Sequence, residues 1–247
     1  MRIGLISDIH GNCFALDAAL ADLRSQSVDQ IICLGDAIQG GPRPAETVQR
    51  LRELGCSIVM GNADDWLLAE ENDTAEQTTP QMREVRAWTL SKLSADDQAF
   101  IRSFQPTVEV ALDDGQRLLC FHGSPTSFND ILLPTTPGED WQRLLGPYVP
   151  AIMTGGHTHT QQMRHIGAGL FFNPGSVGLV YDVLQPEDEL QIYPWAEYAV
   201  LTWEQGRLIA LDFRRAPYDV EQLLQIYLTS GRPHADSIIA QYRRAGG

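Results

Sequence analysis

The chain has 247 residues, 32 acidic against 18 basic side chains for a net charge of −14, with 43% hydrophobic and 20% charged residues. That composition is ordinary for a globular protein and excludes a fibrous, low-complexity or disordered chain. The acidic balance argues against a sequence-independent grip on nucleic acid, which needs many Lys and Arg to neutralise phosphates. No stable nucleic-acid binding is therefore expected, and any phosphate chemistry requires another source of positive charge. No run approaches the roughly 18 apolar residues of a membrane span, and the first motif residues arrive too early for a signal peptide. The expectation is a cytoplasmic protein that does not associate with membranes. Cys13, Cys33, Cys56 and Cys120 form no CxxC pair, and Cys33 and Cys120 lie in apolar runs, which suits buried reduced thiols.

In chain order, Arg2 to Ser7 reads as a strand, and Leu16, Ala19, Leu20 and Leu23 then share a helical face. The pattern recurs. Gln30 to Leu34 is a buried-strand run, Val48 and Leu51 form a helical stripe between Pro44 and Gly55, and Ser57 to Met60 is a third strand. Strands alternating with helices imply right-handed crossovers and a parallel sheet. From Ala63 to about Phe104 the reading is a helical insertion between strands, with Val85, Trp88 and Leu93 roughly on one face and a capping-box start at Ser94 and Asp97. Thr107 to Leu112, the turn Asp113-Asp114-Gly115 and Arg117 to Phe121 predict a hairpin that turns the second half of the sheet antiparallel. Further strands are expected at Ala151 to Thr154, Met163 to Ile166, Leu170 to Phe172, Tyr198 to Trp203 and Arg207 to Phe213. A helical tail, about 217–245, carries Val220, Leu223, Leu224 and Tyr227 on one face up to Gly231, then Ile238, Ile239 and Tyr242. With no repeat or break in composition, one α/β domain spanning 1–247 is expected.

Polar residues collect where the apolar strands end: Asp8 and His10 after the first, Asp36 after the second, Asn62 after the third, His122 after the hairpin, and His157 with His159 after Ala151 to Thr154. Strand carboxyl ends are where open α/β sheets bind ligands. Glycines flank these positions, at Gly11, Gly35, Gly61, Gly123, Gly155 and Gly156, and let backbone approach a central ligand. Imidazoles with carboxylates suit divalent zinc, manganese, iron, cobalt or nickel, and seven donors exceed what one tetrahedral ion uses. Two transition-metal ions are implied, and a carboxylate such as Asp36 can bridge cations about 3.5 to 4 Å apart, the spacing that clamps a phosphoryl displacement. Two divalent ions against the charges of Asp8 and Asp36 leave a net positive spot on an acidic protein, where an anionic ester docks.

Asp8-x-His10, Gly35-Asp36, Gly61-Asn62, His122-Gly123 and Gly156-His157-Thr158-His159, in this order, resemble the calcineurin-like metallophosphoesterases. The likeness runs to about residue 180. The Asp-Ile-His-Gly-Asn start and the segment Asn173-Pro174-Gly175-Ser176-Val177-Gly178 are similar to the bacterial single-domain phosphodiesterase branch. The resemblance implies a four-layer αββα sandwich of two mixed β-sheets flanked by helices. It implies one metal on Asp8, His10, Asp36 and His159, another on Asp36, Asn62, His122 and His157, and a metal-bridging hydroxide as the nucleophile.

Many phosphatases of the superfamily carry a histidine directly after the Gly-Asn asparagine; here that position is Ala63. Asp64 is a candidate proton donor, equally readable as a first-turn helix charge. The missing histidine points to activated phosphodiesters or pyrophosphate linkages. Asn12, a candidate helix cap, and Arg43, in the loop after Asp36, are candidate substrate contacts. Trp66 is the tryptophan placed for base stacking. The reading is a dinuclear-metal phosphoesterase that hydrolyses phosphodiester or nucleotide-type phosphate ester bonds, with a phosphomonoesterase or protein Ser/Thr phosphatase on the same site, or a noncatalytic metal-binding scaffold, as alternatives. The apolar tail helices could pack on the core or on a second copy of the chain in a homo-oligomer.

Overall fold

In the computed structural model the described residues are 1–70, 78–148, 152–186 and 189–245. The elements are, in order, β1 (Arg2–Ile6), α1 (Cys13–Ser25), β2 (Gln30–Cys33), α2 (Pro44–Leu54), β3 (Ser57–Ile58), α3 (Asn62–Leu68), α4 (Pro80–Ser91), α5 (Ala95–Arg102), β4 (Val108–Ala111), β5 (Arg117–Cys120), α6 (Gly138–Leu145), β6 (Ile152–Thr154), β7 (Gln162–Ile166), β8 (Gly169–Asn173), β9 (Trp195–Glu204), β10 (Arg207–Pro217), α7 (Val220–Ser230) and α8 (Ala235–Arg244). They build two five-stranded sheets, ordered β10-β9-β1-β2-β3 and β4-β5-β6-β8-β7. The β1, β2 and β3 ladders are parallel, as the alternating pattern dictates, and β9 and β10 join antiparallel at the β1 side.

The β4–β5 hairpin opens the second sheet rather than extending the first, a correction to the single-sheet reading of that hairpin. Burial explains it. Ile3 and Leu5 of β1 face Leu118 and Cys120 of β5 and Phe172 of β8 across one buried cluster, so the two sheets close on each other. The opposite face of the first sheet packs Ile6 and Cys33 under α1 and α2, through Leu16, Leu23, Val48 and Leu51. The opposite face of the second packs Met153 and Phe171 under Trp141 and Leu145 of α6. The result is the expected four-layer αββα sandwich. The periodicity reading did not include α6, whose two turns carry only Trp141 and Leu145 as buried anchors.

Local chemistry sets the ends of these elements. Asn12 caps α1 by accepting from Ala15 N–H, and Ser94 and Asp97 form the capping box of α5. The helical insertion is α3, α4 and α5; positions 71–77 of that reading lie outside the described residues, as does Ala151. In the tail, β10 runs on through Pro217, so the helical part starts later than 217, and Gly231 closes α7 in left-handed conformation. Leu223, Leu224, Tyr227, Ile239 and Tyr242 pack together with Ile192 and partly buried Phe14 and Leu179. All four cysteines are free, three of them buried. Among the described residues no helix is long and apolar enough to cross a membrane.

One polar tie joins the helix layer to the long β9–β10 hairpin. Asp22 on α1 accepts from the Tyr198 hydroxyl and from Arg214 Nε at 3.0 Å. The Arg214 hydrogen bond, aided by the Tyr198 hydroxyl and opposed by partial burial, holds the Asp22 carboxyl below its usual range. A carboxylate depressed in the folded state adds stability above its unfolded value near 4 and loses it as pH falls toward the folded value. With both partners about one-third exposed, Asp22→Asn is expected to lower stability at pH 7 by roughly 0.5–1 kcal/mol. In urea unfolding that difference should shrink below about pH 4, and a pH-independent difference would contradict the charged tie.

Candidate metal centre

Each candidate ligand sits just beyond a strand. Asp8 and His10 follow β1, Asp36 follows β2, Asn62 opens α3 behind β3, His122 follows β5, and His157 and His159 follow β6. The loops are laced by backbone bonds that carry the strand pattern onward: Asp8 N–H to Gly35 O at 3.0 Å, His10 N–H to Asp36 O at 2.8 Å, and Gly156 N–H to His122 O at 2.9 Å. Asp8, His10, Asp36, His157 and His159 all take positive φ, between 49° and 69°. Asp and His tolerate this left-handed region better than most side chains, and such conformations gather at functional sites.

Two groups result. Donor atoms of Asp8, His10 and His159 lie within 4.8 Å of one another, as do those of Asp36, His122 and His157. Asp36 Oδ2 stands between them, 3.8 Å from His10 Nε2 and 3.4 Å from His122 Nε2. Asn62 Oδ1 lies 2.9 Å from His122 Nε2. All seven sequence candidates are thus brought to one place.

The donor set fits divalent cations. Three imidazoles are fixed by carbonyls, His10 Nδ1 on Gln39 O at 2.9 Å, His122 Nδ1 on Leu34 O at 2.7 Å and His159 Nδ1 on Leu179 O at 2.6 Å. A carbonyl only accepts, so each Nδ1 carries its proton and, in the neutral ring, each Nε2 presents a lone pair inward. His10 Nε2 and His159 Nε2 then face each other at 3.1 Å, and buried Asp8 Oδ1 has no hydrogen-bond partner among the described residues. Lone pairs crowded this way call for a shared positive charge.

The fields are strong. Burial opposes charge on Asp36, yet the imidazoles of His122, His10 and His157 hold its carboxyl far below the usual range. Burial would likewise lower His122, but the Asp36 carboxylate beside it raises it to about 9. His10 is pushed down by burial.

The remaining candidates sit elsewhere. Asp64 is fully buried with both oxygens engaged by backbone, Oδ2 by Ala37 N–H at 2.8 Å and Oδ1 by Ile38 N–H at 2.9 Å, bracing the loop that carries Asp36. Burial and the Asp36 charge push its carboxyl up to about 7 against those two donors. Asn12 spends its amide on Ala15 N–H and Gly178 O. Arg43 is exposed and lines a separate cavity with Trp88 and Lys92.

The segment from Asn173 to Gly178, which the sequence marks by resemblance alone, braces the candidate ligand loops through its side chains. Asn173 Nδ2 donates to Gly156 O at 2.7 Å, and Ser176 Oγ donates to Asp8 O at 2.8 Å. Tyr181, whose ring lies 4.8 Å from that of His159, and Arg232 were also missed, because neither belongs to a local motif.

A Cβ on Gly61 would fall 2.1 Å from both Asp36 N and Asp36 Oδ1, so only glycine lets the α3 start press on that carboxylate. Gly61→Ala is expected to cost about 1–3 kcal/mol in denaturant unfolding through this clash. An unchanged midpoint would show that the close approach is not required.

The family model described as the calcineurin-like phosphoesterase superfamily domain matches residues 1–190. The uncharacterized protein MJ0912 of Methanocaldococcus jannaschii is 27% identical over 235 residues, 89% of each chain. Phosphodiesterase YfcE of Escherichia coli K12 is 26% identical over 192 residues, 72% of this chain and 80% of YfcE. The crystal structure of a metallophosphoesterase from Sphaerobacter thermophilus superposes with a TM-score of 0.72 at 25% identity, over 99% of both chains. With the ordered motifs, the sandwich and the two ligand groups in agreement, the chain belongs to the calcineurin-like phosphoesterase superfamily.

Proposed function

We propose that this protein is a dinuclear-metal phosphodiesterase. The carrying observation is Asp36, whose Oδ2 faces a histidine of each ligand group, His10 and His122. Asp8, His10 and His159 would hold one divalent ion, Asp36, His122, His157 and Asn62 the other, with Asp36 shared. When bound, two such ions supply Lewis acidity at a phosphoryl group and make water a competent nucleophile at neutral pH.

The chain's own residues do the orienting. Ala63 N–H holds Asp36 Oδ1 at 2.7 Å and His157 N–H holds Asp8 Oδ2 at 3.1 Å, which leaves Asp36 Oδ2 and Asp8 Oδ1 to the cluster. The carbonyls on the three Nδ1 atoms fix the rings, so the donor geometry is set before substrate arrives.

A diester is favoured by shape and by relationship. Two clefts reach the ligand cluster with no lining residue in common, one through His10 and Asn62, the other through His159 beside Tyr181, Tyr193 and Trp195. A diester has an alcohol arm for each; a monoester has one. YfcE, named a phosphodiesterase, supports the same choice.

Manganese-loaded protein is expected to hydrolyse bis(p-nitrophenyl) phosphate faster than p-nitrophenyl phosphate. Asp36→Asn should lower kcat by at least about 100-fold, the scale of losing one preorganised electrostatic group. Equal rates for the two proteins would refute the enzyme, and preference for the monoester would favour the phosphomonoesterase.

No side chain at position 63 can protonate a leaving alkoxide, and the Asp64 oxygens are occupied. Ala63→His is therefore expected to raise turnover of alkyl phosphate esters by about 10-fold or more while changing aryl esters little. Equal changes for both classes would count against a missing proton donor.

A further inference from the structure

The ligand cluster opens on one side into a cavity of about 530 Å³ that begins at His10 and Asn62, a size suited to a small organic ligand. Its walls come from segments far apart in the chain: Trp66 on α3, Met82 and Val85 on α4, Ile238 on α8, and Arg232 in the turn before α8. The last two lie beyond residue 190, where the family match ends.

The tail that supplies them is anchored. Tyr227 and Tyr242 are buried among apolar neighbours, and the Tyr242 hydroxyl donates to Gly178 O at 3.2 Å, on the segment that braces Asp8. Arg232 is oriented too. Its Nε donates to Gly40 O and its Nη1 to Pro233 O at 2.8 Å, and its guanidinium lies 5.9 Å from the Tyr227 ring centre. Among the described residues no acceptor meets Nη2. A fixed donor therefore lines a cleft of mixed polar and apolar residues, beside the glycine that follows Gln39, whose carbonyl orients His10.

Trp66, Met82, Val85 and Ile238 give the lining apolar surface that suits the faces of a planar ring, and Arg232 and Gln81 of the same lining carry donors that suit its edge. A nucleotide carries such a ring, with apolar faces and hydrogen-bonding edges, tethered to a phosphate. We propose that this cleft binds the nucleoside arm of a nucleotide phosphoester, so that the C-terminal α7–α8 hairpin determines substrate specificity. The inference rests on the phosphodiesterase reading for what happens at the phosphate, and on the cleft alone for which ester is chosen.

The test is calorimetric binding of adenosine 5′-monophosphate and ribose 5-phosphate to manganese-loaded protein, alongside hydrolysis of bis(p-nitrophenyl) phosphate. The nucleotide should bind at least 10-fold tighter than the sugar phosphate. Ile238→Trp should abolish that ratio without changing ribose 5-phosphate affinity. Met82→Trp, which fills the cleft from the more exposed α4 wall, should do the same with an unchanged Tm, and Arg232→Gln should reduce the ratio. A ratio near one in wild type that still hydrolyses the diester would overturn the cleft and leave the phosphodiesterase standing. A 10-fold ratio with no hydrolysis would support the cleft and sink the catalytic reading, and failure to bind either ligand would overturn the cleft.

Discussion

The structure turns on the placement of one carboxylate. Asp36 leaves the end of β2 in left-handed backbone, has one oxygen pinned by the Ala63 amide, and presents the other between histidines contributed by both sheets. Holding a charge this deeply is unfavourable unless opposite charge surrounds it. The rest of the site answers that requirement. Gly61 has no side chain because Asp36 lies against it, Asp64 ties down the loop behind it, and three carbonyls turn the imidazoles inward.

The two-sheet architecture makes this convergence possible. His10 and Asp36 come from the first sheet, His122, His157 and His159 from the second, and the buried seam of Ile3, Leu5, Leu118, Cys120 and Phe172 fixes the two strand-end edges side by side. A packed interior transmits position with little give. Substitutions in that seam therefore act on the ligand geometry without touching a ligand.

Much of the site was legible because its residues occupy the first positions after apolar runs, where strand periodicity stops and glycines appear; all seven strand-end candidates fell together. The parallel half of the first sheet and the capping box at Ser94 were readable for the same reason, since each is set by residues within a few positions of one another. The assignment of the β4–β5 hairpin to a separate sheet was not, because sheet membership depends on which apolar faces meet across long separations. The two-turn α6 is too short to display a period. Arg232 and Tyr181 reach the clefts through tertiary packing alone, and Asn12, a polar residue beside a ligand motif, proved to spend its amide on α1 and on Gly178.

The left-handed backbone at five candidate ligand positions also bounds how this sequence can drift. Branched aliphatic residues there would pay a conformational penalty on top of losing a donor, whereas asparagine and glycine adopt the same φ with little strain. Exchange to glycine would remove a donor while sparing the sandwich, whereas asparagine would keep one neutral oxygen, as Asn62 offers. A descendant that abandoned chemistry could thus retain its shape, and the identity of the residue at these five sites would record which course a given lineage had taken.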